Sequence, residues 1–125
     1  MTLPEVDPKR LEAEWAADKD VLASLAANGD RAEIVRLVDV SFRGDEAALE
    51  RLEDDAETLG FSFIEREEDE DGEISTFLGI EQSVDADAIR ALTLKCLQIE
   101  LLYDVEYDGW GCTAEAGPGE TGLKN

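Results

Sequence analysis

FSFIEREEDEDGEISTFLGIE, residues 61–81, is the stretch that decides the fold. Phe61, Phe63 and Glu65 alternate with Ser62, Ile64 and Arg66. Ile74, Thr76, Leu78 and Ile80 alternate with Ser75, Phe77, Gly79 and Glu81. A period of two marks a strand with one buried face. Asp71-Gly72 between the runs is a two-residue turn signal, because both positions tolerate positive φ. The stretch therefore predicts a β-hairpin at the middle of the chain.

Outward on each side lies a helix and then a strand. Upstream, Asp45 can cap a helix with Leu49, Leu52, Ala56 and Leu59 on its stripe, closed by Gly60. Before it, Ile34 to Arg43 alternates, with Val38, Val40 and Phe42 facing one way and Asp39, Ser41 and Arg43 the other. Downstream, Ser83 to Asp85 opens a helix whose stripe is Ile89, Leu92, Cys96 and Ile99. Leu94, Leu97 and Leu101 widen that stripe, which predicts the most buried helix. Tyr103 to Asp108 reads as a last strand, ended by Gly109-Trp110-Gly111. Asp7-Pro8 starts one more helix, about residues 8 to 28, with Leu11, Trp15, Val21, Leu22 and Leu25 at helical spacing.

The order is an extra N-terminal helix followed by βαββαβ. With right-handed crossovers this predicts an α+β fold, the ferredoxin-like split β-α-β sandwich. Strands one and three are then central. Strands two and four are edges, and they carry the denser charge that discourages edge pairing. One sheet face packs on the second and third helices. The other gathers Asp39, Arg43, Ile64, Arg66, Phe77, Glu81, Asp104 and Glu106, with the first helix covering part of it. Residues 1–112 form one domain, and 113–125, a Gly/Pro/Thr tail, are expected to be disordered.

The charge balance narrows the function classes. The 125 residues hold 32 Asp and Glu against 11 Lys and Arg, a net charge of -21. Such a field repels nucleic-acid backbones and anionic membranes and attracts basic partners. There is no His, so the commonest general base and transition-metal ligand is missing. The two cysteines, Cys96 and Cys112, are too few for a disulfide scaffold. No signal peptide or membrane span is visible, which makes the cytoplasm the expected location.

Residues 65–73 invite a calcium-loop reading. Setting Gly72 at loop position 6 puts Leu78 where a bidentate Glu is required, so no metal site is assigned. No cofactor motif and no nucleophile–base pair is present, and no enzymatic activity is expected. The acidic open sheet face does not suit RNA binding. Trp110, between two glycines and near Glu106 and Asp108, would suit a cation–π and ion-pair contact to Lys or Arg on a partner. Asp104, Glu106, Tyr107, Asp108 and Trp110 are the candidate partner-binding residues.

YDVEYDGWG, residues 103–111, resembles the C-terminal motif of the RraB family, inhibitors of ribonuclease E. The order of elements over about residues 8 to 115 agrees with that resemblance. It implies a ferredoxin-like variant fold and binding to the endoribonuclease away from its catalytic centre, with altered RNA decay. Family members often end in a longer, strongly acidic tail, whereas here the end carries only Glu115, Glu120 and Lys124. If that tail contributes to inhibition, a different partner or weaker binding follows. The expected function is thus that of an acidic protein inhibitor of ribonuclease E or a related RNA-processing enzyme, occupying a basic segment that otherwise holds RNA. An immunity-type protein neutralising a basic nuclease toxin would need the same physics. A partnerless acidic domain adapted to salt is the remaining reading.

Overall fold

A computed structural model describes residues 4–112. The tail expected at 113–125 lies outside the described residues. The elements are α1 (Pro8–Ala27), β1 (Arg36–Gly44), α2 (Glu46–Asp55), β2 (Ser62–Glu68), β3 (Ile74–Gln82), α3 (Ala86–Tyr103) and β4 (Glu106–Cys112).

Each helix starts on an aspartate. Asp7 accepts from the Lys9 amide with Pro8 at the first helical position, Asp45 from Ala48 at 2.9 Å, and Asp85 from Ala88. These caps satisfy amide groups that have no partner within the helix. At its other end α3 runs past Leu101, the last residue of its predicted stripe, to Tyr103. Tyr103 is its last helical residue, and Asp104, at φ 58°, caps it in the left-handed region. Tyr103 and Asp104 are therefore not strand residues. The alternation misled because the tyrosine also continues a helical spacing from Ile99.

The strands form one antiparallel sheet in the order β2-β3-β1-β4, with β1 and β3 central. The core lies between this sheet and the helices. Val38, Val40 and Phe42 of β1 and Leu78 of β3 are fully buried with Leu49 and Leu52 of α2 and Ile89, Cys96 and Leu97 of α3. Burying each such side chain contributes roughly 1.5–3 kcal/mol. Of the helices, α3 is the most buried, although Leu101 on its widened stripe is exposed. The first helix does not cover the open sheet face. It packs chiefly on α3.

Two irregularities re-aim side chains. On β2 the register slips between Phe63 and Glu65, so Ile64 is an extra residue. Past this bulge Arg66 turns to the helix side, where it binds Glu53 of α2 at 2.7 Å, and Glu65 turns to the open face. Simple alternation placed those two residues the other way round. On β4, Tyr107 pairs with Phe42 and Trp110 with Val40, which leaves one residue too many on β4. Gly109, at φ 108°, supplies the backbone conformation of that bulge. Trp110 therefore does not lie beyond a strand end, as the flanking glycines suggested, but continues β4 to Cys112.

An acidic cleft between α1, α3 and β4

The β4 bulge decides the candidate site. Strand residues three apart ordinarily point to opposite faces. The extra residue puts Tyr107 and Trp110 on the same, helix-covered face, opposite inward-facing Phe42 and Val40. There Trp110 is half-buried, and its indole N–H donates to Asp18 of α1 at 2.9 Å. Thr93 of α3 donates its hydroxyl to the other Asp18 oxygen. Asp18 is the buried residue of α1, at 6% exposure. One carboxylate thus joins α1, α3 and β4, and both its oxygens accept a hydrogen bond.

Around this junction opens a cleft of about 780 Å³, lined by α1, the last turn of α3 and β4. Asp104, Glu106, Tyr107, Asp108 and Trp110 all line it, so the five residues singled out from the sequence come together. They do different things there. Tyr107 is buried, 5.5 Å from Phe42 between ring centroids, and its hydroxyl lies near Cys96, Asp18 and Thr93 without a hydrogen bond of normal geometry. Burial, with the Asp18 charge nearby, pushes that hydroxyl's pKa well up. Burial likewise raises the Cys96 thiol, which is inert and structural. The Asp108 carboxylate accepts from Arg43 at 3.1 Å. Asp104 and Glu106 are exposed, and their side chains make no hydrogen bond or ion pair among the described residues.

The rest of the lining was not singled out from the sequence. Glu100 accepts from Arg10 at 2.9 Å and from the Tyr107 amide at 2.8 Å. Arg10 also pairs with Glu14. The hydrogen bond that Arg10 donates to Glu100 is the main reason the Arg10 pKa is raised. Val21 and Leu101 present apolar surface, 41% and 52% exposed. A half-buried indole and two exposed aliphatic side chains, fringed by carboxylates that outnumber the one arginine, can hold a chain carrying both apolar and cationic groups.

A sequence model of the family described as Regulator of ribonuclease activity B, RraB, matches residues 15–112. The chain belongs to the RraB family. It is therefore a regulator of ribonuclease activity and not an enzyme. Relatives from several bacteria carry the name Regulator of ribonuclease activity B. That of Photobacterium profundum is 28% identical over 114 residues, covering 85% of this chain and 84% of its own. That of Pseudoalteromonas atlantica is 32% identical over 106 residues, covering 80% and 91%. That of Escherichia coli is 29% identical over 121 residues, covering 93% and 88%.

The matched span begins at Trp15 and so takes in Asp18, Thr93 and Trp110. Asp18 itself gave no sequence signal: a carboxylate on an acidic helix reads as solvated. Trp15 was legible only as an apolar position, and it serves as a platform for Arg90, whose guanidinium lies 4.9 Å from the ring centroid. The acidic hairpin organises itself. The Asp69 carboxylate accepts from the Asp71 and Glu73 amides, both at 2.9 Å. Among the described residues no three carboxylates or thiols converge as a metal would require, and no helix is long and apolar enough to cross a membrane.

Proposed function

We propose that this RraB-family chain inhibits ribonuclease E, or a related RNA-processing enzyme, by holding a basic segment outside the enzyme's catalytic centre. The observation that carries the reading is the cleft itself. Trp110 is fixed at its edge by Asp18, Val21 and Leu101 offer apolar contact, and the Asp104 and Glu106 carboxylates have no hydrogen-bond or ion-pair partner among the described residues. A cationic segment satisfies all three features at once, and while bound there it cannot hold RNA. The same reading takes residues 1–112 as one domain with ferredoxin-like βαββαβ order, and the cytoplasm as the place of action.

The test is cleavage of a structured RNA by full-length ribonuclease E and by its catalytic portion alone, with this protein added. We expect the full-length enzyme to be inhibited and the catalytic portion much less so. In the full-length assay, Asp104→Asn combined with Glu106→Gln should weaken inhibition, and more so at low salt than at high. Equal inhibition of both enzyme forms would relocate the contact to the catalytic domain. Absence of inhibition and of any complex would remove the reading altogether.

A further inference from the structure

The open face of the sheet carries apolar surface that the fold does not use. On this face β1 presents Leu37 and Asp39, β3 presents Phe77, Gly79 and Glu81, and β2 presents Ile64 and Glu65. Leu37 and Ile64, on strands either side of β3, converge over Gly79. A Cβ added there would lie 2.9 Å from Leu37 Cδ1 and 3.0 Å from Ile64 Cδ1. The glycine lets the two side chains meet, and together they cover it. Yet both remain exposed to solvent, Leu37 by 50% and Ile64 by 41%. Ile64 reaches this face by ordinary alternation from inward-facing Phe63, and the β2 bulge sets Glu65 beside it.

Acids flank the cluster in register. Glu81 stands opposite Leu37, Glu65 opposite Phe77, and Glu67 follows Glu65 on the same face. A side-chain hydrogen bond with Glu65, and after it the Glu65 charge, raise the Glu67 pKa, and a neighbouring cation would relieve the like-charge part. Arg43, the basic residue on this face, is already held by Glu73 and Asp108. A second copy of the chain is a poor occupant, since each copy carries a net charge of -21. RNA is repelled for the same reason. An amphipathic basic helix fits in both size and charge: four strands about 4.8 Å apart present a face wider than the roughly 10 Å diameter of a helix.

We propose that the open sheet face, centred on Leu37 and Ile64 over Gly79, is a second docking surface for an amphipathic polypeptide segment with apolar and basic side chains. It is distinct from the cleft, which lies at the β4 end of the molecule. Leucine-like side chains of the segment would cover the aliphatic cluster, and flanking Lys or Arg would meet Glu65, Glu67 and Glu81.

The experiment is a titration of the isotopically labelled full chain with a 15-residue leucine/lysine amphipathic peptide, read by NMR. Amide shifts are expected at Leu37, Ile64, Phe77 and Gly79. Leu37→Thr with Ile64→Thr places β-branched residues, which suit exposed strand positions, at both sites, so the fold should persist, while affinity falls about tenfold. Should that pair misfold, Glu65→Gln with Glu81→Gln tests the same face and should lower both affinity and its salt dependence. Shifts confined to the cleft, affinity unchanged in both variant pairs, or a stronger response of this face to an RNA oligonucleotide or to self-association would each overturn the inference. The two readings fail separately: if the threonine pair binds peptide normally while Asp104→Asn relieves ribonuclease inhibition, the sheet-face inference falls and the cleft reading stands.

Discussion

Asp18 holds a position that a carboxylate occupies only when its hydrogen bonds are complete. Removing it by Asp18→Ala leaves the Thr93 hydroxyl and the Trp110 indole N–H without their acceptor, at a cost of about 2–4 kcal/mol. Asp18→Asn should lose under about 1 kcal/mol, because one oxygen still accepts from the indole and the Thr93 hydroxyl can turn to accept from the amide. Urea denaturation of the two variants should separate them. Glu53 makes a different prediction. Desolvation pushes its pKa up, but the hydrogen bonds from Arg66 and Thr76 and the Arg66 charge outweigh it, so the folded value lies below the ordinary 4.5. A depressed carboxylate stabilises the fold above its unfolded pKa and loses that contribution as pH falls through the folded one. Glu53→Gln should therefore be less stable than the parent near neutrality and lose less on acidification. The two urea midpoints should converge between about pH 5 and pH 3. Parallel curves would show that the Arg66 contact contributes nothing.

At the scale of elements, strands and helices were mostly legible and their irregularities were not. Alternation located β1, β2 and β3, and aspartate caps located the helix starts, because both signals are local. A bulge has no such signature. The extra residue at Ile64 changes which face Glu65 and Arg66 take, and only pairing with β3 reveals it. The β4 bulge left one hint, Gly109, which read more simply as a stop. Its conformation gives a direct prediction. Gly109→Val places a β-branched residue at φ 108°, costing about 1–3 kcal/mol although no atom lies within 4 Å of the new Cβ. Tryptophan fluorescence should shift to the red as Trp110 leaves its half-buried seat. A stable variant with unchanged emission would mean that the bulge is not what places the indole.

At the scale of the whole molecule, the charge reading and the strand order were both accessible from sequence, since they depend on counts and on order along the chain. The site was accessible only in part. Asp104, Glu106, Tyr107, Asp108 and Trp110 were found because they are contiguous and conspicuous in type. Asp18 and Glu100 were missed because their importance arises from residues 92 and 90 positions away, Trp110 and Arg10. The net charge of -21 also acts on the folded state as a whole. Self-repulsion should be relieved by salt, so the Tm should rise between about 10 mM and 150 mM, as the Debye length falls from about 30 to about 8 Å. A flat response in a thermal scan would mean that bound cations already neutralise the acids.

The carboxylate shared by α1, α3 and β4 also bears on how such a sequence can change over time. Apart from a step to Asn, a lineage cannot exchange position 18 freely while the indole at 110 and the hydroxyl at 93 stay, because removing the acceptor strands their polar groups. Replacing all three by apolar residues avoids that penalty, but only if the changes arrive together. Among descendants of this chain, positions 18, 93 and 110 should therefore be inherited as a unit, kept whole or lost whole, while the acids of the rim drift individually.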